Sequence, residues 1–265
     1  ARILGRKGVI VGDRVKLDGD VSGAAGTLAR IVEVSERRTW LRRSADDADT
    51  FERPIVANAD QLMIVTALAD PEPRMGMIDR ILVAAYDARI SPILCLTKAD
   101  LASPEDLRVA YAPLEIPVVV TRPGGDLSPV RELLEQHTTV LIGHSGVGKS
   151  TLVNALVPGT DRATGAVSEV TGKGRHTSTS AAAIALPGGG WIIDTPGVRS
   201  FGISHVRTDA FIRAFPDLEG FVTSCPRGCR HDSSAPECAL DEAVRSGKLG
   251  AERLLSFRRM ERAFA

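Results

Sequence analysis

The sequence predicts a three-part chain: a small all-β piece, an α/β domain with a parallel sheet, and a short helical region organised by cysteines. Three observations carry this. Residues 1 to about 55 hold short β-branched runs broken by turn signals, with no helical period. From Gln61 onward strand-like and helix-like patterns alternate, as they do when a parallel sheet is covered on both faces. Further on stand Cys225, Cys229, His231 and Cys238, spaced C-x3-C-x-H-x6-C. The units are placed at residues 1–50, 54–205 and 206–265. The 265 residues suffice for two or three small domains, and 43% hydrophobic with 25% charged content is ordinary for a soluble globular protein. The formal net charge of zero gives no bulk argument for a nucleic-acid partner, so such binding has to come from local patches. No apolar run approaches a membrane span and no secretory signal opens the chain, so a cytoplasmic protein without a membrane partner is expected. The chain opens on Ala1 rather than Met, which suggests processing or a missing N-terminus.

In the first unit, residues 9–11, 14–17, 26–34 and 39–42 read as strands, with turns at Gly12-Asp13 and Asp18-Gly19-Asp20. Short strands without helices suggest a partial barrel of the OB type, a common oligonucleotide binder. Arg37, Arg38, Arg42 and Arg43 cluster around Trp40. They suit either an RNA backbone with a stacked base or a solvated strand edge protected by charge. Residues 44–53, with Asp46, Asp47, Asp49 and Glu52, read as an acidic linker and a domain boundary.

In the second unit, residues 61–66, 93–97 and 116–121 are strands, and residues 77–89, 104–111 and 127–137 are helices. Ser103 and Pro104 suit a helix cap and first turn. The apolar strand over 138–142 leads into Gly143, His144, Ser145, Gly146, Val147, Gly148, Lys149, Ser150 and Thr151, followed by a helix stopped at Pro158-Gly159. This is G-x-x-x-x-G-K-[ST] between a strand and a helix N-terminus, where a phosphate chain is bound. Gly146 and Gly148 let backbone N–H groups turn inward, Lys149 can reach the β- and γ-phosphates, and the Ser150 hydroxyl can ligate Mg²⁺.

Two further motifs belong with that loop. Thr97-Lys98-Ala99-Asp100 fits [NT]-K-x-D after a buried strand. A carboxylate at Asp100 can accept from guanine N1–H and the 2-amino group, donors that adenine lacks there, and Lys98 can lie along the base. Asp194-Thr195-Pro196-Gly197 fits D-x-x-G at a strand end. Asp194 can hold the Mg²⁺ shell through water, and the Gly197 N–H can touch the γ-phosphate and report its loss. Residues 163–180, rich in Gly, Thr and Ser, read as a mobile switch. Residues 181–186 and 191–194 form a strand pair, and the chain is helical from Asp209 on, interrupted by the cysteines.

The guanine motif precedes the phosphate loop, the reverse of the usual GTPase order. A circular permutation explains it. With Gly12-Asp13-Arg14-Val15, Gly172-Lys173-Gly174-Arg175-His176-Thr177 and the cysteine cluster, this order resembles the circularly permuted ribosome-small-subunit-dependent GTPases, the RsgA family, over almost the whole chain. The resemblance implies an OB barrel, a permuted P-loop α/β GTPase domain and a C-terminal zinc domain. It implies a GTP/GDP cycle with Mg²⁺ and one structural Zn²⁺, acting in late maturation of the small (30S) ribosomal subunit on 16S rRNA, as a monomer that meets other assembly factors. It makes Thr177 the switch threonine on Mg²⁺, with Thr179 as its rival. It also places the first barrel strands upstream of Ala1. His176 is either a hydrolysis helper or an incidental loop histidine. Val198 stands where many GTPases place a water-orienting Gln, so slow intrinsic hydrolysis is expected, faster on the subunit.

Three thiolates and an imidazole at Cys225, Cys229, His231 and Cys238 make a closed tetrahedral set, which suits structural zinc. Each outer gap departs by one residue from the C-x4-C-x-H-x5-C expected of the family. Cys95, in a buried strand, reads as a core residue. Two rival readings remain: an RNA-binding zinc module with a non-hydrolysing nucleotide site, and an ATP-dependent kinase. Intact Lys149, Ser150, Asp194 and Asp100 argue against the first, and Asp100 against the second.

Overall fold

The computed structural model describes residues 8–22, 24–44, 52–160, 181–206, 211–212 and 215–262. Its centre is a six-stranded sheet of β5 (Gln61–Ala67), β6 (Ser91–Thr97), β7 (Val118–Val120), β8 (Thr138–Ile142), β9 (Ala182–Ala185) and β10 (Trp191–Asp194). The spatial order is β7-β6-β5-β8-β10-β9, parallel throughout except for β9, which pairs antiparallel with β10 at the edge. The two-residue period of a strand sorts the core. Met63, Val65, Ile93, Cys95 and Leu141 face one side, with Leu134 of α3 (Ser128–Leu134) and Leu152, Val153 and Leu156 of α4 (Lys149–Leu156). Leu62, Ile64, Leu94, Leu96, Val140 and Ile142 face the other, with Ile78, Ile81, Leu82 and Ala85 of α1 (Met75–Asp87). Helix α2 (Glu105–Tyr111) adds Leu107 and Tyr111 to that second side. Its Glu105 N–H bonds the Ser103 hydroxyl at 3.3 Å. Cys95 is fully buried, and burial pushes its thiol up to about 12, so it is an inert core residue.

In the sheet domain the element types match the sequence reading, and several ends do not. Helix α1 begins and stops two residues earlier than expected, and α3 is confined to Ser128–Leu134. Residues 9–11 form no strand, because the chain turns at 11–12. The described residues of the first unit do not close a barrel. They form two separate antiparallel pairs: β1 (Val15–Gly19) with β2 (Ala29–Val34), and β3 (Trp40–Arg43) with β4 (Arg53–Ala57). The acidic stretch read as a linker therefore runs between two strands of one hairpin. Leu41 and Val56 of that hairpin are fully buried in the α1-side core.

The arginines around Trp40 are engaged within the chain. Arg37 bonds Asp13 at 2.7 Å, Arg38 bonds Asp60 at 2.9 Å, and Arg42 bonds Glu52 at 2.6 Å. Arg37 and Arg42 also stand 5.2 Å and 4.9 Å from the Trp40 ring centroid. The charged strand edge, not a free base-stacking platform, describes this cluster.

The last part consists of α5 (Pro216–Val222), α6 (Ala239–Arg245) and α7 (Ala251–Glu261). It packs on the sheet domain through a cluster of rings. Phe215 meets Tyr86 of α1 at 5.4 Å, Phe211 at 4.9 Å and Phe257 at 5.3 Å. Beside it Asp79 of α1, 3% exposed, accepts from the Tyr111 hydroxyl at 2.9 Å and from Arg259 of α7 at 3.0 Å. Burial pushes the Asp79 carboxyl up, against the pull of the Arg259 guanidinium and the Tyr111 donor.

Candidate functional site

The loops that follow β5, β6, β7, β8 and β10 gather at one edge of the sheet, the C-terminal ends of its parallel strands, where open α/β sheets bind ligands. Strand β8 sits between β5 and β10, so its loop is flanked on both sides. Gly146 and Gly148 adopt positive φ, 82° and 95°, as inward-turned N–H groups require. Lys149 opens α4 and is 7% exposed. Its Nζ donates to the carbonyls of Gly143 at 2.7 Å and His144 at 3.0 Å. Burial pushes its ammonium down to about 8, with the Asp194 carboxylate pulling the other way. The His144 ring Nδ1 lies 2.8 Å from the Ser145 carbonyl oxygen. Ser145 and Gly146 are exposed, open to a phosphate.

The guanine motif is locked to this loop. The Thr97 hydroxyl donates to the Val147 carbonyl at 2.6 Å and the Thr66 carbonyl at 3.3 Å. Lys98, at φ 58°, donates to the Asp70 carbonyl in the loop after β5. The chain then turns through Ala99 and Asp100, with Leu101 N–H bonded to Lys98 O at 2.9 Å, and Asp100 is exposed on that turn. A cleft of about 190 Å³ lies beside the motif, lined by Thr97, Lys98, Gly148, Thr151, Arg122 and Pro123. In the sequence reading Thr121 is a strand end and the segment 121–125 has no site role. Its signal was position: Gly124-Gly125 just beyond a short apolar strand. Its Thr121 carbonyl accepts from Ala99 N–H at 3.1 Å, which ties it to the guanine turn.

On the other flank, Asp194 is 4% exposed at the end of β10. The next residue, Thr195, anchors its hydroxyl to the Leu141 carbonyl at 2.7 Å. Gly197 presses on the phosphate loop so closely that a Cβ there would stand 2.9 Å from Ser145 Cα. Val198 is buried, and its N–H bonds the Gly143 carbonyl at 3.2 Å, so its side chain packs into the core and aligns no water. Ser150, in the first turn of α4, and Asp194 suit a Mg²⁺ ion held with the phosphates, a hydroxyl and a water-bridged carboxylate. His176, Thr177 and Thr179 lie outside the described residues.

The three cysteines and His231 also converge. Their ligand atoms all lie within 4.8 Å of one another, with Cys225 Sγ 3.5 Å and Cys238 Sγ 3.8 Å from His231 Nδ1. Arg258 of α7 holds the cluster's backbone, donating to the His231 carbonyl at 2.8 Å while it chelates Asp241 at 2.8 Å. Three soft sulfurs and one imidazole nitrogen at this spacing fit a tetrahedral zinc ion.

A phosphate loop between a guanine motif and a D-x-x-G segment, on strands threaded in permuted order, defines a circularly permuted P-loop GTPase. Residues 34–204 match the RsgA GTPase family. The chain belongs to that family. It is 40% identical over 259 residues to the small ribosomal subunit biogenesis GTPase RsgA of Azotobacter vinelandii, covering 94% of this chain and 73% of that one. It is 43% identical over 215 residues to the protein of that name from Ectopseudomonas mendocina, covering 78% of this chain and 62% of the relative. Among solved structures it is similar to YjeQ from Thermotoga maritima, with a TM-score of 0.70 and 28% identity over 98% of this chain and 86% of that one. It is also similar to YloQ, a circularly permuted GTPase, with a TM-score of 0.66 and 26% identity over 97% and 81%.

Proposed function

We propose that this chain hydrolyses GTP to GDP and phosphate while bound to the small (30S) ribosomal subunit, and that it assists late maturation of that subunit. The observation that carries the reading is the joining of the guanine motif to the phosphate loop through Thr97 and Val147, in a chain whose relatives bear the name small ribosomal subunit biogenesis GTPase. In this reading Asp100 and Lys98 select guanine, with Thr97 holding their loop in place. Gly143, His144, Ser145, Gly146, Val147, Gly148, Lys149, Ser150 and Thr151 cradle the phosphates. Lys149 neutralises charge on the β- and γ-phosphates, and Gly197 N–H reads the γ-phosphate. Ser150, Thr177 and, through water, Asp194 would hold Mg²⁺, which would neutralise charge on the phosphates. His176 helps to activate the attacking water, and Val198 leaves the isolated enzyme slow.

Cys225, Cys229, His231 and Cys238 hold one structural zinc. Residues 1–50 and 206–265 grip 16S rRNA around the GTPase unit at 54–205, and the protein works as a cytoplasmic monomer, away from membranes. Turnover measured with and without purified small subunits, together with co-sedimentation in a non-hydrolysable GTP analogue against GDP, tests the reading. Stimulated turnover and tighter association with the analogue are expected. Equal affinity in both nucleotide states with unchanged turnover would remove the ribosomal role.

A further inference from the structure

The stretch that leaves the D-x-x-G motif does not run directly to the cysteine module. It first forms a backbone bridge to the N-terminal hairpin. Ser44 N–H donates to the Gly202 carbonyl at 3.1 Å, and Gly202 N–H donates back to the Ser44 carbonyl at 3.3 Å. Ser44 itself is fully buried. Its hydroxyl accepts from Ser204 N–H at 3.4 Å, and the neighbouring Arg43 guanidinium donates to the Ser200 carbonyl at 3.4 Å. Only four residues lie between Gly197 and Gly202, a reach of at most about 17 Å over the five steps when fully extended. Slack is limited further because Val198, Phe201 and Ile203 are buried in the same core as Leu41 and Val56 of the hairpin.

We propose that Ser44 is a positioning residue for GTP hydrolysis. With Arg43 it fixes the far end of the segment that starts at Gly197, so that the hairpin sets how Gly197 approaches the γ-phosphate and moves when that phosphate leaves. The proposal rests on the reading of Gly197 as the γ-phosphate contact. It assigns the N-terminal β piece, and not only the cysteine module, to the nucleotide-state readout. The physical basis is a short tether. A segment pressed on Ser145 at one end and hydrogen-bonded to β3's extension at the other cannot shift at one end alone, because packed cores answer displacement by moving as units.

The chain carries its own reporter. Trp40 lies in β3, four residues before Ser44, between the Arg37 and Arg42 guanidinium groups. The other tryptophan, Trp191, is 49% exposed and takes part in none of these contacts, so Trp191→Phe leaves Trp40 as the single emitter. In that background Trp40 emission is expected to differ between a non-hydrolysable GTP analogue and GDP. Identical emission in the two states would overturn the proposal.

Ser44→Pro deletes the bridge donor. Because that change can also impair folding, Arg43→Ala with Ser44→Ala serves as the second variant, removing the side-chain ties and keeping the backbone. In folded Ser44→Pro kcat is expected to fall about fivefold or more, the low end of usual site-to-site coupling, with KM for GTP within about twofold and the Trp40 difference reduced, and the double variant, which keeps the bridge, is expected to fall less. Unchanged kcat with an unchanged Trp40 response in folded Ser44→Pro would also overturn it. Titration with a fluorescent GDP separates the failures: loss of nucleotide binding in the Trp191→Phe protein overturns the site reading beneath the proposal, whereas intact binding without a Trp40 difference overturns the proposal alone.

Discussion

The two flanks of the phosphate loop are built differently. On the guanine flank, side chains make the joints. Thr97 is bonded to the Val147 carbonyl and Lys98 to the Asp70 carbonyl, and the loop after β5 leads into α1, which carries Asp79 to the C-terminal helix through Arg259. On the hydrolysis flank the Thr195 hydroxyl is likewise bonded to the Leu141 carbonyl, but beyond it the joints are mainly backbone contacts: Gly197 against Ser145, Val198 N–H on Gly143, and the Ser44–Gly202 bridge. Side-chain hydrogen bonds to fixed carbonyls preorganise a site before ligand arrives. A glycine contact and a backbone bridge leave the segment able to move as one piece. On the proposed reading, the difference teaches that the guanine side is locked by side chains before ligand arrives, while the segment from Gly197 to Gly202 is held as one piece by backbone contacts.

Lys149→Ala breaks both flanks together and has the largest effect. It removes the cation that the P-loop carbonyls hold ready, and turnover is expected to fall by about 10³-fold or more, with weaker binding of both GTP and GDP. Stimulated hydrolysis surviving in a folded variant would refute the phosphate-loop assignment. Gly197→Ala breaks only the hydrolysis flank. Its new Cβ has no room at 2.9 Å from Ser145 Cα, so the segment must back away. An ångström of misplacement costs about 10²-fold in rate, and kcat should fall by that order while GDP affinity stays within about twofold. Parallel losses in kcat and in GDP affinity would show that the flanks are not separable. Asp100→Asn breaks only the guanine flank. Loss of a carboxylate's bonds to the base should weaken GTP binding about 10- to 100-fold with kcat at saturation retained. Because an amide can donate to the extra keto group of xanthine, xanthosine nucleotides should gain. Unaltered GTP affinity and no such gain would sink the guanine assignment.

How much of this was legible in the sequence follows the same division. Motifs whose chemistry sits in side chains at fixed spacing could be read directly: the phosphate loop, Thr97 to Asp100, the four metal-type ligands. So could the alternation that sends Met63 and Val65 to one face and Leu62 and Ile64 to the other. The Ser44–Gly202 bridge could not, because any residue but proline offers the same N–H and C=O. The Asp79–Arg259 pair joins residues 180 apart, with nothing local to mark either. The stretch at 44–53 reads as a linker because it is acidic and poor in apolar residues. The pairing of Trp40 with Ala57 and Leu41 with Val56 on either side of it is a tertiary fact. The basic cluster at Arg37 to Arg43 leaves two readings open for the opposite reason. Its charges were legible, and their partners Asp13, Asp60 and Glu52 were not legible as partners.

A pH titration probes the residue both flanks share. In the free protein burial holds the Lys149 ammonium down to about 8. Phosphates require the charged form, so nucleotide binding draws a proton onto Lys149 wherever it is neutral. Affinity should therefore be flat below pH 8 and fall above it, by about tenfold between pH 7 and pH 9. The Gly197→Ala variant should keep this profile, since Lys149 is untouched. Affinity rising with pH, or level to pH 9, would mean that Lys149 is fully charged before nucleotide arrives.

The smallest effect on isolated turnover is expected from Cys229→Ser, and it sharpens the comparison by asking which flank the cysteine module answers to. The variant should lose the one zinc, as metal analysis of chelator-free protein reports. The module's attachment to the sheet domain uses other residues: Phe215 on Tyr86, and Arg259 on Asp79. Those contacts end on α1, whose preceding loop supplies the Asp70 carbonyl to Lys98. Any disturbance should therefore reach the guanine flank first and appear as a change of about threefold or less in nucleotide affinity, with kcat unmoved. It must cross a packed helix to do so, and coupling over such a distance is typically no more than about 1–3 kcal/mol even when both sites bias it. A fall in kcat at unchanged affinity would instead place the module on the hydrolysis flank, reached through residues 198–206 and the hairpin's bridge to them.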